Sequence, residues 1–263
     1  MLGEQKERQR RMAPDARREA ILDAAQSLFM ARGFEAVTIA DVLEAADISK
    51  GGLYHHFAAK DDLLAGIVTR MAERGLDAAE NARAETTGDA LMRLNAFIHG
   101  FARWKSDNIA GMRLFADVLA QPGNDILHRR VLDATTAAVM PVLQTIIEEG
   151  AREGTFDVAE PALTAELVVG LAHGRRKVAG RAIGVARDEG LGAACALFEA
   201  RLKAEGTICD RLLGLPPGSV VLQGPGDTRR VLAEFARAAT DAPTGRADAA
   251  EDEMNRRCVA AGK

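Results

Sequence analysis

From position 49 to 57 the chain reads Ser-Lys-Gly-Gly-Leu-Tyr-His-His-Phe, a stretch dense in groups that can donate hydrogen bonds. Lys50 offers a cationic donor suited to a phosphate or a base edge. Tyr54, His55 and His56 add further donors on a surface with little else to do. Gly51 and Gly52 have no side chains, so a helix opening at Ser49 could approach a groove closely, with its free N–H groups directed at phosphate. Two consecutive glycines cost a lone surface helix roughly 1–2 kcal/mol relative to alanine. A purely structural helix has little reason to carry that cost. The bland alternatives are that the glycine pair marks a loop and that Tyr54, the single tyrosine, is a half-buried packing residue. Metal binding by His55 and His56 fits poorly. Adjacent helical positions point about 100° apart, and Ala59 and Lys60 stand where a ligand at i+4 would be needed.

The elements around this stretch can be read from their caps. Thr38 is a good N-cap, with Val37 and Val42 at the staple positions, and Ile39, Val42, Leu43 and Ala46 supply a buried face. Ser49 caps a second helix expected to run to about Phe57, with Ile48 and Leu53 as its staple. Only Ala45 to Ile48 separate the two, and Asp47 can take the left-handed conformation that such a turn needs. Two short helices joined this tightly form a helix-turn-helix. Before them a helix from about Asp15 to Arg32 carries Ile21, Leu22, Ala25, Leu28 and Phe29 on one face, closed by Gly33. After them an apolar stripe from Lys60 to about Asn81 is long enough to connect two domains.

The remainder stays helical. Leu91, Leu94, Phe97, Ile98 and Phe101 mark one helix, and Met112, Leu114, Phe115, Val118 and Leu119 another, ahead of a turn at Gln121-Pro122-Gly123. A segment from about Asn124 to Glu149 contains Pro141, which should kink or interrupt it. Pro161 opens a helix with Leu163, Leu167, Val168 and Leu171 on one face, and a last helix of this set spans about 191–205. The expected architecture is all-α, with a flexible basic arm (1–14), a helix-turn-helix domain (15–60), a larger helical domain (61–206) and an extension (207–263). Within that extension only a short helix from Thr228 is expected, and residues 241–263 read as disordered.

Composition limits the classes of function. The chain of 263 residues is 48% hydrophobic and 27% charged, with aromatics at 4%, which favours helices over strands. No run of about 18 apolar residues suggests a membrane span, and MLGEQKERQRRM does not read as a secretory signal. Cys195, Cys209 and Cys258 are too far apart for a zinc knuckle or a redox pair and read as reduced cytosolic thiols. Net charge is −4, but residues 1–18 hold six Lys/Arg against three acids, so the arm could follow phosphates or simply be solvated. An enzyme would need a nucleophile with its base or clustered carboxylates and histidines, and neither GxSxG nor HExxH occurs.

TIADVLEAADISKGGLYHHFAAKDDLL, preceded by ILDAAQSLFMARGFEAV, resembles the DNA-binding domain of the TetR (tetracycline-repressor-like) family of bacterial regulators over about residues 17–65. The resemblance implies a three-helix DNA-binding domain followed by a helical domain that binds a small molecule and dimerises. It places DNA contacts on Thr38, Ser49, Lys50, Gly51, Tyr54, His55, His56 and Lys60, to which the close approach argued above adds Gly52. Thr38 and Lys60 would hold phosphates, Lys50 to His55 would face the groove, and Phe57 would be core. Asp47 stands where the family usually has Gly. The likeness fades after Leu64, and the tail beyond about 206 exceeds the family's usual length.

The implied partners are double-stranded operator DNA, an unidentified small-molecule effector and a second copy of the chain, with no cofactor, metal or membrane. A cytoplasmic repressor released from a palindromic site by its effector is the leading expectation. An activator of the same fold, or a helical interaction module without DNA binding, are the alternatives. For the effector cavity the bulky or adaptable residues Phe101, Trp104, Met112, Phe115 and Met140 are candidates, against ordinary core packing. His99 and His173 could hydrogen-bond a ligand. Arg175-Arg176-Lys177 reads better as a solvated face than as an anion site. Gly170 and Gly174 would permit close helix contact at a dimer interface with the 191–205 helix.

Overall fold

The computed structural model describes residues 14–112, 125–222 and 227–240, so the basic arm, Phe115, the turn at 121–123, Cys258 and the end of the chain lie outside the described residues. The described residues form helices α1 (Pro14–Arg32), α2 (Ile39–Ala45), α3 (Lys50–Tyr54), α4 (Lys60–Glu85), α5 (Ala90–Asp107), α6 (Asp125–Arg152), α7 (Pro161–Asp188), α8 (Leu191–Leu212) and α9 (Asp227–Thr240). Among them there is no strand.

Two large cores divide the described residues, and a third, smaller cluster of Ala182, Ala194, Cys195 and Leu232 joins α7, α8 and α9. The first gathers Ile21, Leu22 and Phe29 of α1, Val42 of α2, Leu53 of α3 and Leu63, Leu64 and Ile67 of α4. Leu127 and Val131 at the head of α6 join it, so the larger domain contributes to the core of the smaller one. The second core unites α4 to α8 through Ala79, Leu94, Phe97, Leu143, Ile146, Ile147 and Val169. α4 runs through both. A side chain at Gly75 would meet Phe101 at 2.6 Å and Trp104 at 2.8 Å, which is why α4 and α5 need glycine at their closest approach.

Several boundaries differ from expectation. α3 ends at Tyr54 rather than Phe57, and α4 continues to Glu85. Pro141 lies inside α6 without ending it. Leu163 and Leu167 are 53% and 47% exposed, so they lie on the outward side of α7 while Thr164, Ala165 and Val169 face inward. Apolar spacing located the helix but not the face that packs. α8 runs past position 205 to Leu212, and the segment after it belongs to the domain rather than to a detached extension. Asp210 is buried and accepts hydrogen bonds from the N–H groups of Gly218 (2.6 Å) and Val220 (2.8 Å), and Asn95 pairs with the backbone of Ser219 and Val221. These contacts fold the Pro/Gly-rich stretch back onto the second core, where Leu213 and Val220 are buried. The stretch 129–152 of α6 reaches the length and hydropathy of a membrane span, but its Val131, Leu143, Ile146 and Ile147 are committed to the two cores.

Candidate nucleic-acid interface and ligand cavity

The helix-turn-helix is held by local chemistry. Thr38 caps α2 reciprocally with Asp41: its hydroxyl donates to the Asp41 carboxylate (2.6 Å) and accepts from the Asp41 N–H (3.2 Å), while its own N–H donates to the carboxylate (2.7 Å). Those two Thr38 donors, the hydroxyl first and then the backbone, together with nearby Arg32, hold the Asp41 carboxyl below the usual range. Asp47 turns the chain at φ +50°, the left-handed region expected of it. Ser49 caps α3 by accepting from the Gly52 N–H at 3.2 Å. Leu53, fully buried, and Phe57 anchor this short helix on the first core.

That anchoring decides what faces outward. Lys50, Gly51, Tyr54 and His55 are exposed along one side of α3 and its last turn, with Tyr54 45% exposed. The ammonium of Lys50 lies 5.8 Å from the centre of the Tyr54 ring, and the rings of His55 and His56 meet edge to face at 5.0 Å. A side chain at Gly51 would meet nothing within 4 Å, so no intramolecular contact demands glycine there. Gly52 differs, because its N–H is taken by the Ser49 cap.

Lys60 is placed differently from the phosphate hand that the resemblance implies. Its ammonium donates to the carbonyls of Phe34 (2.9 Å), Val37 (3.1 Å) and Glu35 (3.4 Å) and sits 4.3 Å from the Phe34 ring centre. It clamps the α1–α2 connection from the start of α4. The neighbouring Asp62 accepts from the N–H groups of Ala58 and Ala59 (3.0 Å each) and from Arg130 of α6 (2.8 Å), tying this corner to the larger domain. Buried Arg70 adds a second tie, donating to Glu19 (3.0 Å), Asp23 (2.8 Å) and Gln26 (2.6 Å) of α1.

The larger domain encloses a cavity of about 340 Å³ between α5, α6, α7 and α8. Phe97, Phe101, Val139, Leu143 and Val169 line it, and Met112 does also. Trp104 and Met140 do not line it. Trp104 packs against Gly75 and the first core, and Met140 against the second core away from the cavity. Val231 and Phe235 of α9 close the cavity from outside the expected ligand domain, and Arg230 fixes α9 to α5 by donating to Ser106 at 2.5 Å. Of the two histidines that could have met a ligand, His173 pairs with Thr136 at 3.2 Å, and neither His173 nor His99 lines the cavity.

Sequence reasoning missed Lys105 and Glu205 on the cavity wall and read Arg175, which also lines it, as part of a solvated face. Lys105 continues the line of Phe97 and Phe101 at four-residue steps, a lysine on an apolar stripe that could have been noticed. Burial, then repulsion from Arg175, lowers its pKa to about 8. The expected basic trio divides, for Arg176 and Lys177 are exposed while Arg175 turns to the cavity and pairs with buried Glu205. Arg201 donates to the other oxygen of Glu205 at 2.5 Å. No local pattern in α7 or α8 announces this triad, since it forms only when the two helices pack side by side. Cys209, on the same wall, has its thiol pushed up to about 11 by burial and then by Glu205.

Residues 21–67 match the family described as bacterial regulatory proteins, tetR family. Among curated relatives, the HTH-type transcriptional regulator AlkX of Mycobacterium tuberculosis is 31% identical over 93 residues, covering 35% of this chain and 43% of the relative. The HTH-type transcriptional repressor KstR2 of Mycolicibacterium smegmatis is 28% identical over 170 residues, covering 60% and 77%. The HTH-type transcriptional activator FasR of the same organism is 28% identical over 135 residues, covering 51% and 61%. The chain thus spans under half the length of AlkX and about three-fifths of FasR. A solved structure of a TetR-family transcriptional regulator from Syntrophomonas wolfei, 16% identical, covers 75% of this chain and 96% of its own with a TM-score of 0.51, a likeness of fold.

Proposed function

We propose, because residues 21–67 match the family described as bacterial regulatory proteins, tetR family, that this chain is a cytoplasmic, homodimeric transcriptional regulator that binds operator DNA through α3 and responds to a small molecule in the α5–α8 cavity. The observation that carries this reading is the construction of α3. A five-residue helix is capped by Ser49, anchored by Leu53, and presents Lys50, Gly51, Tyr54 and His55 to the outside, exposed among the described residues. Such a surface suits base edges and phosphates of a major groove. Lys50, Tyr54 and His55 are the groove-facing residues, with His56 at the edge and Gly51 admitting close approach. Thr38, Ser49, Gly52 and Lys60 act mainly by fixing the pose of the helix.

Two copies would read half-sites about 34 Å apart along one face of the duplex. The outward face of α7, with Leu163, Leu167, Gly170 and Gly174, joins the exposed Ala200, Ala204 and Ile208 of α8 as the dimer surface. α6 suits the transmitting role beside α4, because Val139, Leu143 and Ile147 line the cavity while Leu127, Arg130 and Val131 bear on the DNA-binding domain. A ligand can shift the spacing of the two reading helices only through its different affinity for the two arrangements. Likeness to the repressor KstR2 supports repression. Likeness to the activator FasR keeps activation as the second reading, which transcript levels with and without the gene would separate.

The test is selection of bound duplexes from a random library by the full chain at about 50 mM salt, with a Lys50→Ala, Tyr54→Ala double variant as control. A palindrome recovered only by the native chain is expected. Absence of enrichment at low salt would overturn the DNA-binding reading. Lys60 is unsuitable as a control, since its loss would release the α1–α2 connection.

A further inference from the structure

The cavity is apolar on nearly every wall, yet cations face it in excess of acids. Among the residues lining it, Lys105 and Arg175 are basic and Glu205 alone is acidic. Glu205 is already saturated, with one oxygen taken by Arg175 and the other by Arg201. Lys105 keeps its positive charge beside the Phe101 ring, 4.3 Å from the centroid, with no hydrogen bond or ion pair to its ammonium among the described residues. Arg175 spends Nε and Nη2 on Glu205 and leaves Nη1 uncommitted among the described residues. An ammonium held among apolar side chains is costly unless an anion accompanies it.

We propose that the cavity takes an amphipathic monocarboxylate, its apolar body lying between α5, α6 and α9 and its carboxylate paired with Lys105 and the spare edge of Arg175. The proposal rests on the reading of this cavity as the effector site and names the ligand's chemical class. Lowering of the Lys105 pKa to about 8, by burial and then by Arg175, agrees with a wall where cations outnumber acids. A carboxylate supplies a negative charge and two acceptor oxygens, one for each cation. A volume of about 340 Å³ lies at the low end of the roughly 300–1,000 Å³ range of ligand sites. That suits a medium-length aliphatic or a one-ring aromatic acid.

The experiment is calorimetric titration of the full chain at neutral pH with monocarboxylates from hexanoate to dodecanoate and with 4-phenylbutyrate, each beside the primary alcohol of the same skeleton. At least one acid is expected to bind about tenfold or more tightly than its alcohol, a difference of about 1.4 kcal/mol. Lys105→Met should abolish that preference and Lys105→Arg should retain it, with circular dichroism confirming that both variants keep their helices. Equal binding of acid and alcohol, absence of binding by every acid, or an undiminished preference in Lys105→Met would overturn the proposal. Operator binding is measured separately. An acid that binds through Lys105 but leaves DNA affinity unchanged would sustain this proposal and sink the effector reading. A chain that loses its operator only to neutral compounds would do the reverse.

Discussion

The two functional regions are built on opposite principles. The reading helix draws its outward groups from seven consecutive residues, 50 to 56, held by caps within three or four positions of one another. The cavity draws its wall from residues as far apart as Leu94 and Phe235, on five described helices and the segment after α8. The first is exposed and locally determined, so side chains there can change binding without changing stability. The second is shared with the core, so a change there alters stability and binding together.

The sharpest way to break this contrast is to exchange neighbours within α3. Leu53→Ala should cost about 2–5 kcal/mol, because Leu53 is fully buried in the first core. Chemical denaturation would show the loss. Tyr54→Ala, one residue on, should lower operator affinity about tenfold or more while its denaturation curve moves by no more than about 0.5 kcal/mol. If both variants unfold equally, the division between anchor and reader in α3 is wrong.

The segment after α8 offers the next largest effect. Asp210→Ala would leave the Gly218 and Val220 N–H groups without their acceptor, at a cost of about 1–3 kcal/mol. Limited proteolysis should then cut within 213–222, and ligand binding should weaken because Val220 and Leu222 line the cavity. Unchanged protection would mean that this segment is held by its apolar contacts alone.

Lys105 gives the pH-dependent case. Its folded pKa of about 8 lies below the ordinary 10.5, with the Phe101 ring and Arg175 as its surroundings and Glu205 already paired. Between those values the unfolded chain binds more protons than the folded one, so stability should rise with pH from about 8 toward 10. The gain, of order 1 kcal/mol, should be missing from Lys105→Met when the two denaturation series are compared. Affinity for an anionic ligand should fall over the same interval, as the ammonium loses its proton.

The smallest effect is the most diagnostic of the reading helix. Gly51→Ala meets no neighbour in this chain and should stabilise α3 by up to about 1 kcal/mol. If α3 enters a groove, the added methyl should nevertheless weaken operator binding. A variant that gains stability and keeps full affinity would place Gly51 away from the duplex.

What could be read from residue order was whatever depends on near neighbours. Caps at Thr38 and Ser49, the turn at Asp47, closure of α1 at Gly33 and the outward Lys50 and Tyr54 all follow from interactions within a few positions, so the motif carries its own geometry. Apolar spacing likewise located the helices, because one turn repeats every 3.6 residues whatever lies opposite. Which face of a helix packs, and against what, is set by distant partners. Packing alone turned Leu163 and Leu167 outward, drew Lys60 onto three carbonyls, carried Trp104 away from the cavity, and brought Lys105, Arg175 and Glu205 to one wall. Folding of the 213–222 segment and α9 over that wall was decided the same way, by contacts more than a hundred residues apart such as Asn95 with Ser219 and Arg230 with Ser106. Short-range hydrogen bonds are written in the order of residues, whereas a cavity exists only once separate helices have left the same space unfilled.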